Sequence, residues 1–273
     1  MKKRRHNKIL CQSWTRRKLM HMAFNPKQFH KKILELAEIN LFSVETIYKK
    51  TPVPIIALKK KASIENAPYV YISAGIHGDE PAGPWVIEKL LRESFFNDQI
   101  NWQLIPMLNP TGLELGTREN ADGVDLNRDY KAGTTKEVAA HLKWLKKQSG
   151  LDYDLMITLH EDWESPGFYC YTIIPKGRGQ ILVDIFEAVK NISPINLSEE
   201  IEGAKARGGF IIHDLETFDK VLNDWQNWPE AFFLIKNNPG TLHFTFETAS
   251  EQPLQQRINT HCAAIEAVIQ EIT

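Results

Sequence analysis

Two histidines and a glutamate sit where a chain would need them to hold a divalent ion. His77 and Glu80 are three residues apart in Ile-His77-Gly-Asp-Glu80-Pro, so an imidazole nitrogen and a carboxylate oxygen can reach one cation. Gly78 lets the backbone turn sharply between them. The pair follows the apolar run Tyr69-Val-Tyr-Ile-Ser-Ala, and the carboxyl end of a strand in an α/β sheet is where ligands usually bind. Zinc held by two His and one Glu, with a fourth position open, is a recognised catalytic arrangement. Spacing alone does not decide the matter. With 9 His and 22 Glu in 273 residues, about 0.7 His-x-x-Glu pairs arise by chance, and a second one joins His213 to Glu216. What separates the first pair is His160, which closes another apolar run, Leu155-Met-Ile-Thr-Leu.

A second group of residues suits a substrate bearing negative charge. Asn127 and Arg128 are adjacent in Gly-Val-Asp125-Leu-Asn127-Arg128, offering an amide and a guanidinium fork to a carboxylate. Arg118, shortly before them, is a fixed cation able to face an oxygen on which charge develops. Three cysteines, Cys11, Cys170 and Cys262, are far apart and form no Cys-x-x-Cys pair, so a thiolate metal site or a disulfide framework is not expected.

The elements that must position these groups follow from periodicity. Strand-like runs cover 53–58, 69–76, 100–108, 155–159, 168–174, 210–212 and 242–246. Helical spacing covers 26–50, 85–96, 136–147, 181–191 and 254–272. Alternation of the two predicts an α/β fold, a mixed, mostly parallel twisted sheet sandwiched by helices, in one domain over 26–273. The stretch 193–228 is of mixed polarity with several Gly and reads as a loop-rich insertion. At 273 residues, 25% charged and a net charge of −1, the chain can bury a full core and has no global charge that would favour nucleic acid. No apolar run reaches the ~18 residues of a membrane-spanning helix. The first 22 residues carry eight Lys or Arg and no acid, which leaves −9 on the remainder. Only Ile9-Leu10-Cys11 follows the basic start, so a cytoplasmic protein is expected. The basic segment, 1–25 in its widest bounds, reads as a flexible extension or as sequence ahead of a start at Met20 or Met22, with a nucleic-acid-binding arm as the alternative.

Taken in order, His77-Gly-Asp-Glu80, Asn109-Pro-Thr-Gly112, Arg118, Asp125-Leu-Asn127-Arg128, His160 and Glu247 resemble the motifs of the carboxypeptidase A-like zinc metallocarboxypeptidases. The short bacterial branch that includes murein peptide amidases is the most similar, because Leu115-Gly-Thr-Arg118 runs quickly into the Asp125 segment. The resemblance implies one zinc ion per chain on His77, Glu80 and His160, with Asp125 orienting the His77 imidazole. It implies that Asn127 and Arg128 hold the free carboxylate of a peptide or acyl-amino-acid substrate, that Arg118 polarises the scissile carbonyl and that Glu247 is the general base. The expected activity is that of a zinc carboxypeptidase or amidase.

Relatives in that family commonly carry a mobile Tyr about twenty residues before the general base, and here no Tyr follows Tyr171. Trp225, Trp228 or His213 would have to cap the pocket instead. Glu161-Asp-Trp-Glu164 adds three carboxylates after His160, a solvated turn by default and a second metal or cation site as the sharper reading. Two other functions fit the same residues. One is an N-acyl amino acid deacylase similar to succinylglutamate desuccinylase and aspartoacylase. The other is a non-catalytic binding protein on a peptidase scaffold.

Overall fold

The structure, a computed structural model, describes residues 24–273 apart from 149, 176 and 214, and only the backbone of 215–217. The basic segment 1–22 and the side chain of Glu216 lie outside the described residues. Asn25 opens the first helix, α1 (Pro26–Ile39): its side chain accepts from Gln28 N at 3.0 Å, and Pro26 supplies a helical φ at the first position. Phe29, Ile33, Leu36 and Ala37 recur at helical spacing and are buried. Periodicity suggested that this helix continues to residue 50, and it does not. Asn40 Nδ2 donates to Leu36 O and Leu91 O, both at 2.9 Å, and Leu41 takes φ 62°, outside helical geometry. The chain then enters β1 (Ser43–Tyr48).

The remaining elements run β2 (Ile55–Lys60), β3 (Tyr69–Ala74), α2 (Ala82–Arg92), β4 (Asn101–Ile105) and α3 (Pro110–Leu115). After a 3-10 turn (Leu126–Arg128) come α4 (Lys136–Lys147), β5 (Leu155–Asp162), β6 (Tyr169–Ile173), α5 (Gln180–Val189) and the small hairpin β7 (Glu200–Ile201) and β8 (Ala204–Lys205). β9 (Phe210–Ile212), α6 (Leu215–Asp224), α7 (Glu230–Asn237), β10 (Leu242–Ala249) and α8 (Leu254–Gln270) complete the fold. The stretch read as a loop-rich insertion therefore carries a hairpin, a strand and the helix α6, with α7 directly after it.

Eight strands form one sheet in the order β1-β2-β4-β3-β5-β10-β6-β9. The central β4, β3, β5 and β10 are mutually parallel, so their carboxyl ends share one edge. Each face has its own core. Helices α1, α2, α5 and α8 cover one face, where Phe244 and Phe246 pack with Ile33, Leu90 and Ile265. Residues of α4, α6 and α7 cover the other, with Leu142, Phe218 and Leu234 against Tyr71 and Met156. Strands buried on both sides read as near-continuous apolar runs, which is why their ends were visible in the sequence. No helix among the described residues is long and apolar enough to cross a membrane.

Candidate metal and active site

The site lies at the carboxyl edge of β3, β5 and β10. Past β3 the chain turns at Gly75 (φ 66°), where an added Cβ would lie 2.9 Å from Pro84. Gly78 is required for a different reason: its Cβ would sit 1.9 Å from the backbone carbon of Gly112, so any side chain there would push the His77 loop off α3. Asn109 completes that latch. Its Oδ1 accepts from Gly112 N at 2.8 Å, capping α3, while its Nδ2 donates to Ile76 O at 3.1 Å. The Asn109-Pro-Thr-Gly112 motif thus holds the loop that carries His77 and Glu80.

His77 Nδ1 is 2.5 Å from Glu80 Oε1, and His160 Nδ1 is 2.9 Å from Glu80 Oε2. One ligand atom from each of the three residues falls within 4.8 Å of the others, and relative exposures are only 3%, 6% and 5% for His77, Glu80 and His160. Two further groups fix the arrangement. Asp125 Oδ1 lies 3.2 Å from His77 Nε2, and Glu161 N donates to Glu80 Oε2 at 3.1 Å. With Nε2–H given to Asp125, Nδ1 is turned toward Glu80; metal-bound imidazoles are ordinarily oriented by such a carboxylate. Arg118 Nε donates to Asp125 Oδ2 at 2.8 Å, and its guanidinium also stands 3.5 Å from Glu80 Oε1.

The electrostatics follow from depth. Burial disfavours ionisation of His77, but the Glu80 charge and hydrogen bonds to Asp125 and Glu80 outweigh it and push the imidazole up to about 9. Burial would raise Glu80, yet His77 and His160 hold its carboxyl well below the usual range. Asp125 is depressed against its own desolvation by His77 and Arg118. A carboxylate this deep needs positive charge beside it. Two imidazole nitrogens and a carboxylate oxygen, buried and convergent, are a donor set that suits zinc, whose binding would displace the proton that His77 otherwise holds.

Glu247 sits on β10 directly across from His160 in the parallel register. Leu242, Phe244 and Phe246 turn to the apolar face, which leaves Glu247 on the face of the candidate metal ligands. Its carboxyl is pushed well above the usual range by burial and by the neighbouring Glu80 and Asp162 charges, with Arg118 opposing. Asn127 is buried and Arg128 exposed, the latter donating from Nη1 to Asn127 O at 2.9 Å. The Glu161-Asp-Trp-Glu164 tract is not one acidic cluster. Glu161 is buried on the opposite face, pairs with Arg257 of α8 and accepts from Ala82 N at 2.5 Å at the start of α2. Among the described residues, His77, Glu80 and His160 are the group placed to hold a metal. Of the three suggested caps, Trp228 is buried, His213 stacks on Tyr171 at 6.3 Å and Trp225 is half exposed.

Sequence reasoning missed a buried network under the Asn127 turn. Tyr130 OH lies 2.8 Å from His141 Nδ1, and His141 Nε2 lies 3.1 Å from Tyr71 OH. Tyr71 OH donates to Glu230 Oε1 at 2.6 Å, and Ser73 Oγ donates to Glu230 Oε2 at 2.9 Å. Burial drives His141 down to about 3, so it is neutral with one N–H and one lone pair. With Glu230 ionised, Tyr71 spends its proton on the carboxylate, and His141 donates from Nε2 and accepts from Tyr130 at Nδ1. The Trp228-Pro229-Glu230 sequence, an acid just after a proline, was the available signal for the α7 start.

Burial raises Glu230 to about 7 from 4.5, against the lowering hydrogen bonds from Tyr71 and Ser73. The native state thus holds this proton more tightly than the unfolded chain. Its stabilising contribution is complete below pH 4.5 and is lost as pH rises through 7, on the order of 3 kcal/mol in total. In Glu230→Gln that decline is expected to vanish. Urea unfolding of both proteins at pH 4.5 and pH 7.5 checks it; parallel pH dependences would show that Glu230 does not titrate in this window.

Comparison with known proteins is consistent with this geometry. The family described as Succinylglutamate desuccinylase/Aspartoacylase catalytic domain matches residues 66–209, just over half of the chain. Murein peptide amidase A of Escherichia coli strain K12 is 37% identical over 73 residues, covering 27% of this chain and 30% of that protein. The matched stretches span only 23–40% of the curated relatives' own lengths. A candidate metallopeptidase of known structure from Shewanella amazonensis SB2B superposes with a TM-score of 0.78 at 24% identity, covering 90% of this chain and 93% of the other. A metallo-carboxypeptidase from Burkholderia cenocepacia gives 0.64 at 16% identity, with coverages of 89% and 67%. At these identities the likeness establishes a shared fold.

Proposed function

The chain belongs to the succinylglutamate desuccinylase/aspartoacylase catalytic-domain family, and on that footing we propose that residues 26–273 form a zinc-dependent carboxypeptidase or amidase that hydrolyses an amide bond next to a free carboxylate. The observation that carries the reading is the convergence of three buried donors, His77, Glu80 and His160, with Glu247 on the adjacent strand and Arg118 beside Glu80.

His77 Nδ1, Glu80 and His160 Nδ1 would hold one zinc ion. When bound, zinc supplies a Lewis acid that polarises a carbonyl and acidifies water. The chain's own groups do the rest. Arg128 and the Asn127 amide grip the substrate carboxylate, which fixes the last amide bond relative to the site and so selects the terminal residue. Arg118 faces the carbonyl oxygen as charge builds on it. Glu247 takes a proton from the attacking water and returns it to the leaving amine. Asp125 keeps the His77 ring in the orientation that points Nδ1 at the site.

The family match favours one second reading, release of an acyl group from an N-acylated amino acid. The stretch shared with a protein named murein peptide amidase points the other way, to a peptide amide, for which we take a γ-linked amide as the substrate to test. A panel assay of the full chain loaded with zinc separates them. We expect a γ-glutamyl peptide with a free C-terminal carboxylate to be cleaved, and its C-terminal amide to react about 100-fold more slowly, the order set by one or two charge-assisted hydrogen bonds. Turnover of N-acetyl or N-succinyl amino acids with none of the peptide would replace this reading by the deacylase.

A further inference from the structure

Glu230 is 1% exposed and belongs to none of the sequence motifs, yet it touches the proposed carboxylate clamp directly. Its backbone N–H donates to Asn127 Oδ1 at 2.8 Å. A backbone N–H can only donate, so the atom it meets on the Asn127 amide must be the oxygen, and the orientation of that amide is fixed without ambiguity. The N–H itself is available because Glu230 is the first residue of α7, where no intrahelical carbonyl can accept it. The Asn127 N–H is also committed, to Asp125 Oδ1 at 2.9 Å. What Asn127 retains for a ligand is Nδ2 with two hydrogens, a donor-only end. Rotated by half a turn, the same amide would set an oxygen against a carboxylate.

The rest of the network keeps α7 where this hydrogen bond needs it. Tyr71 and Ser73 on β3 donate to the two Glu230 carboxyl oxygens, pinning the first turn of α7 to the sheet. Tyr130 closes the circuit: its hydroxyl reaches His141, and its backbone N–H donates to Trp228 O at 3.1 Å. The 127–130 turn and the start of α7 are therefore tied to each other twice, and two hydrogen bonds from β3 hold the Glu230 carboxyl to the sheet floor.

We infer that Glu230 is a positioning residue that orients the Asn127 amide through its backbone N–H, with its buried carboxyl anchored on Tyr71 and Ser73, so that the site presents donors and rejects cations at the substrate's carboxylate end. The inference rests on the carboxylate-clamp reading of Asn127 and Arg128 given above.

The hydrogen bond can be removed without touching Asn127. Proline is well tolerated at the first position of a helix, and the preceding Pro229 (φ −69°, ψ 165°) already has the extended conformation that a following proline demands. Glu230→Pro and Glu230→Ala both lose the carboxyl, and only the proline variant loses the N–H. With the γ-glutamyl peptide as substrate, KM of Glu230→Pro is expected about tenfold above that of Glu230→Ala, with kcat within about twofold, because a bond made equally in ground and transition states acts on KM. Equal KM values in the two variants would overturn the inference. A second measurement needs no proline. In the wild type the Glu230 amide hydrogen is expected to exchange slowly, and in Asn127→Ala about 100-fold faster, while the remaining amides of α7 keep their protection. Slow exchange of the Glu230 amide in Asn127→Ala would also overturn it. An Asn127→Ala enzyme with wild-type KM would instead remove the clamp reading, and the positioning role with it, whatever the exchange rates.

Discussion

Glu247→Gln is expected to lower kcat by about 1000-fold, in the range set by loss of a positioned general base, while zinc content and KM stay near wild type. The carboxamide has the same shape and cannot accept the proton. Its position is secure, because β10 is paired on one side with β5, Glu247 across from His160, and on the other with β6, Glu247 across from Tyr169. Removing the charge should not cost stability either. The amide fills the same buried volume on β10, so the variant is expected to unfold within a few degrees of the wild type. Zinc analysis, thermal melts and steady-state kinetics on one preparation test the three statements together. A loss of less than tenfold in a fully loaded variant would assign the base to another group.

The candidate metal ligands were legible in the sequence because His77 and Glu80 lie in the loop just past β3 and His160 near the end of β5, strands buried on both faces that read as continuous apolar runs. Glu247 was legible for a related reason: Leu242, Phe244 and Phe246 alternate with it, which fixes its face once β10 is accepted as a strand. What stayed hidden depends on partners remote in the chain. Glu161 follows the candidate ligand His160 and looks acidic and solvated, but the alternation of β5 turns it to the opposite face, where Arg257, 96 residues on, pairs with it. Glu230 finds Tyr71 at a separation of 159 residues, and no local pattern announces that bond. The end of α1 was misjudged because Val44 continues the helical period, whereas Leu41 adopts a left-handed φ that stops the helix. Helix α6 was lost in a segment whose glycines and mixed polarity resemble a loop. Gly78 reads as a sharp turn but answers to the approach of Gly112 and not to a special dihedral angle, while Gly75, which does take φ 66°, does not stand out in the sequence.

His77→Ala should abolish hydrolysis and, on metal analysis, bring about one zinc per chain in the wild type down to a tenth or less, because a three-ligand site that loses one ligand keeps too little affinity to survive purification. The substitution takes away the Nδ1 that faces Glu80 and the Nε2–H that meets Asp125. Arg118 still pairs with Asp125, and Glu80 keeps His160 and the Glu161 N–H, so the fold around the site retains its other contacts. Stability gives an independent reading. An ion present at 1000 times its dissociation constant adds about 4 kcal/mol to the native state, and a domain of this size shifts by roughly 2–4 °C per kcal/mol, so chelation should lower the wild-type Tm by about 10 °C. The same chelator should leave the Tm of His77→Ala unmoved. Asp125→Asn provides the graded case: it keeps all three donors but weakens the group that orients one of them, and a 10- to 100-fold loss of zinc affinity is expected, as for other carboxylates that support metal-bound imidazoles. The order of zinc affinity, wild type above Asp125→Asn above His77→Ala, follows from ligation and not from burial alone. If His77→Ala retains full zinc occupancy, His77 is not a ligand and the convergence with Glu80 and His160 is a buried ion pair with no catalytic role.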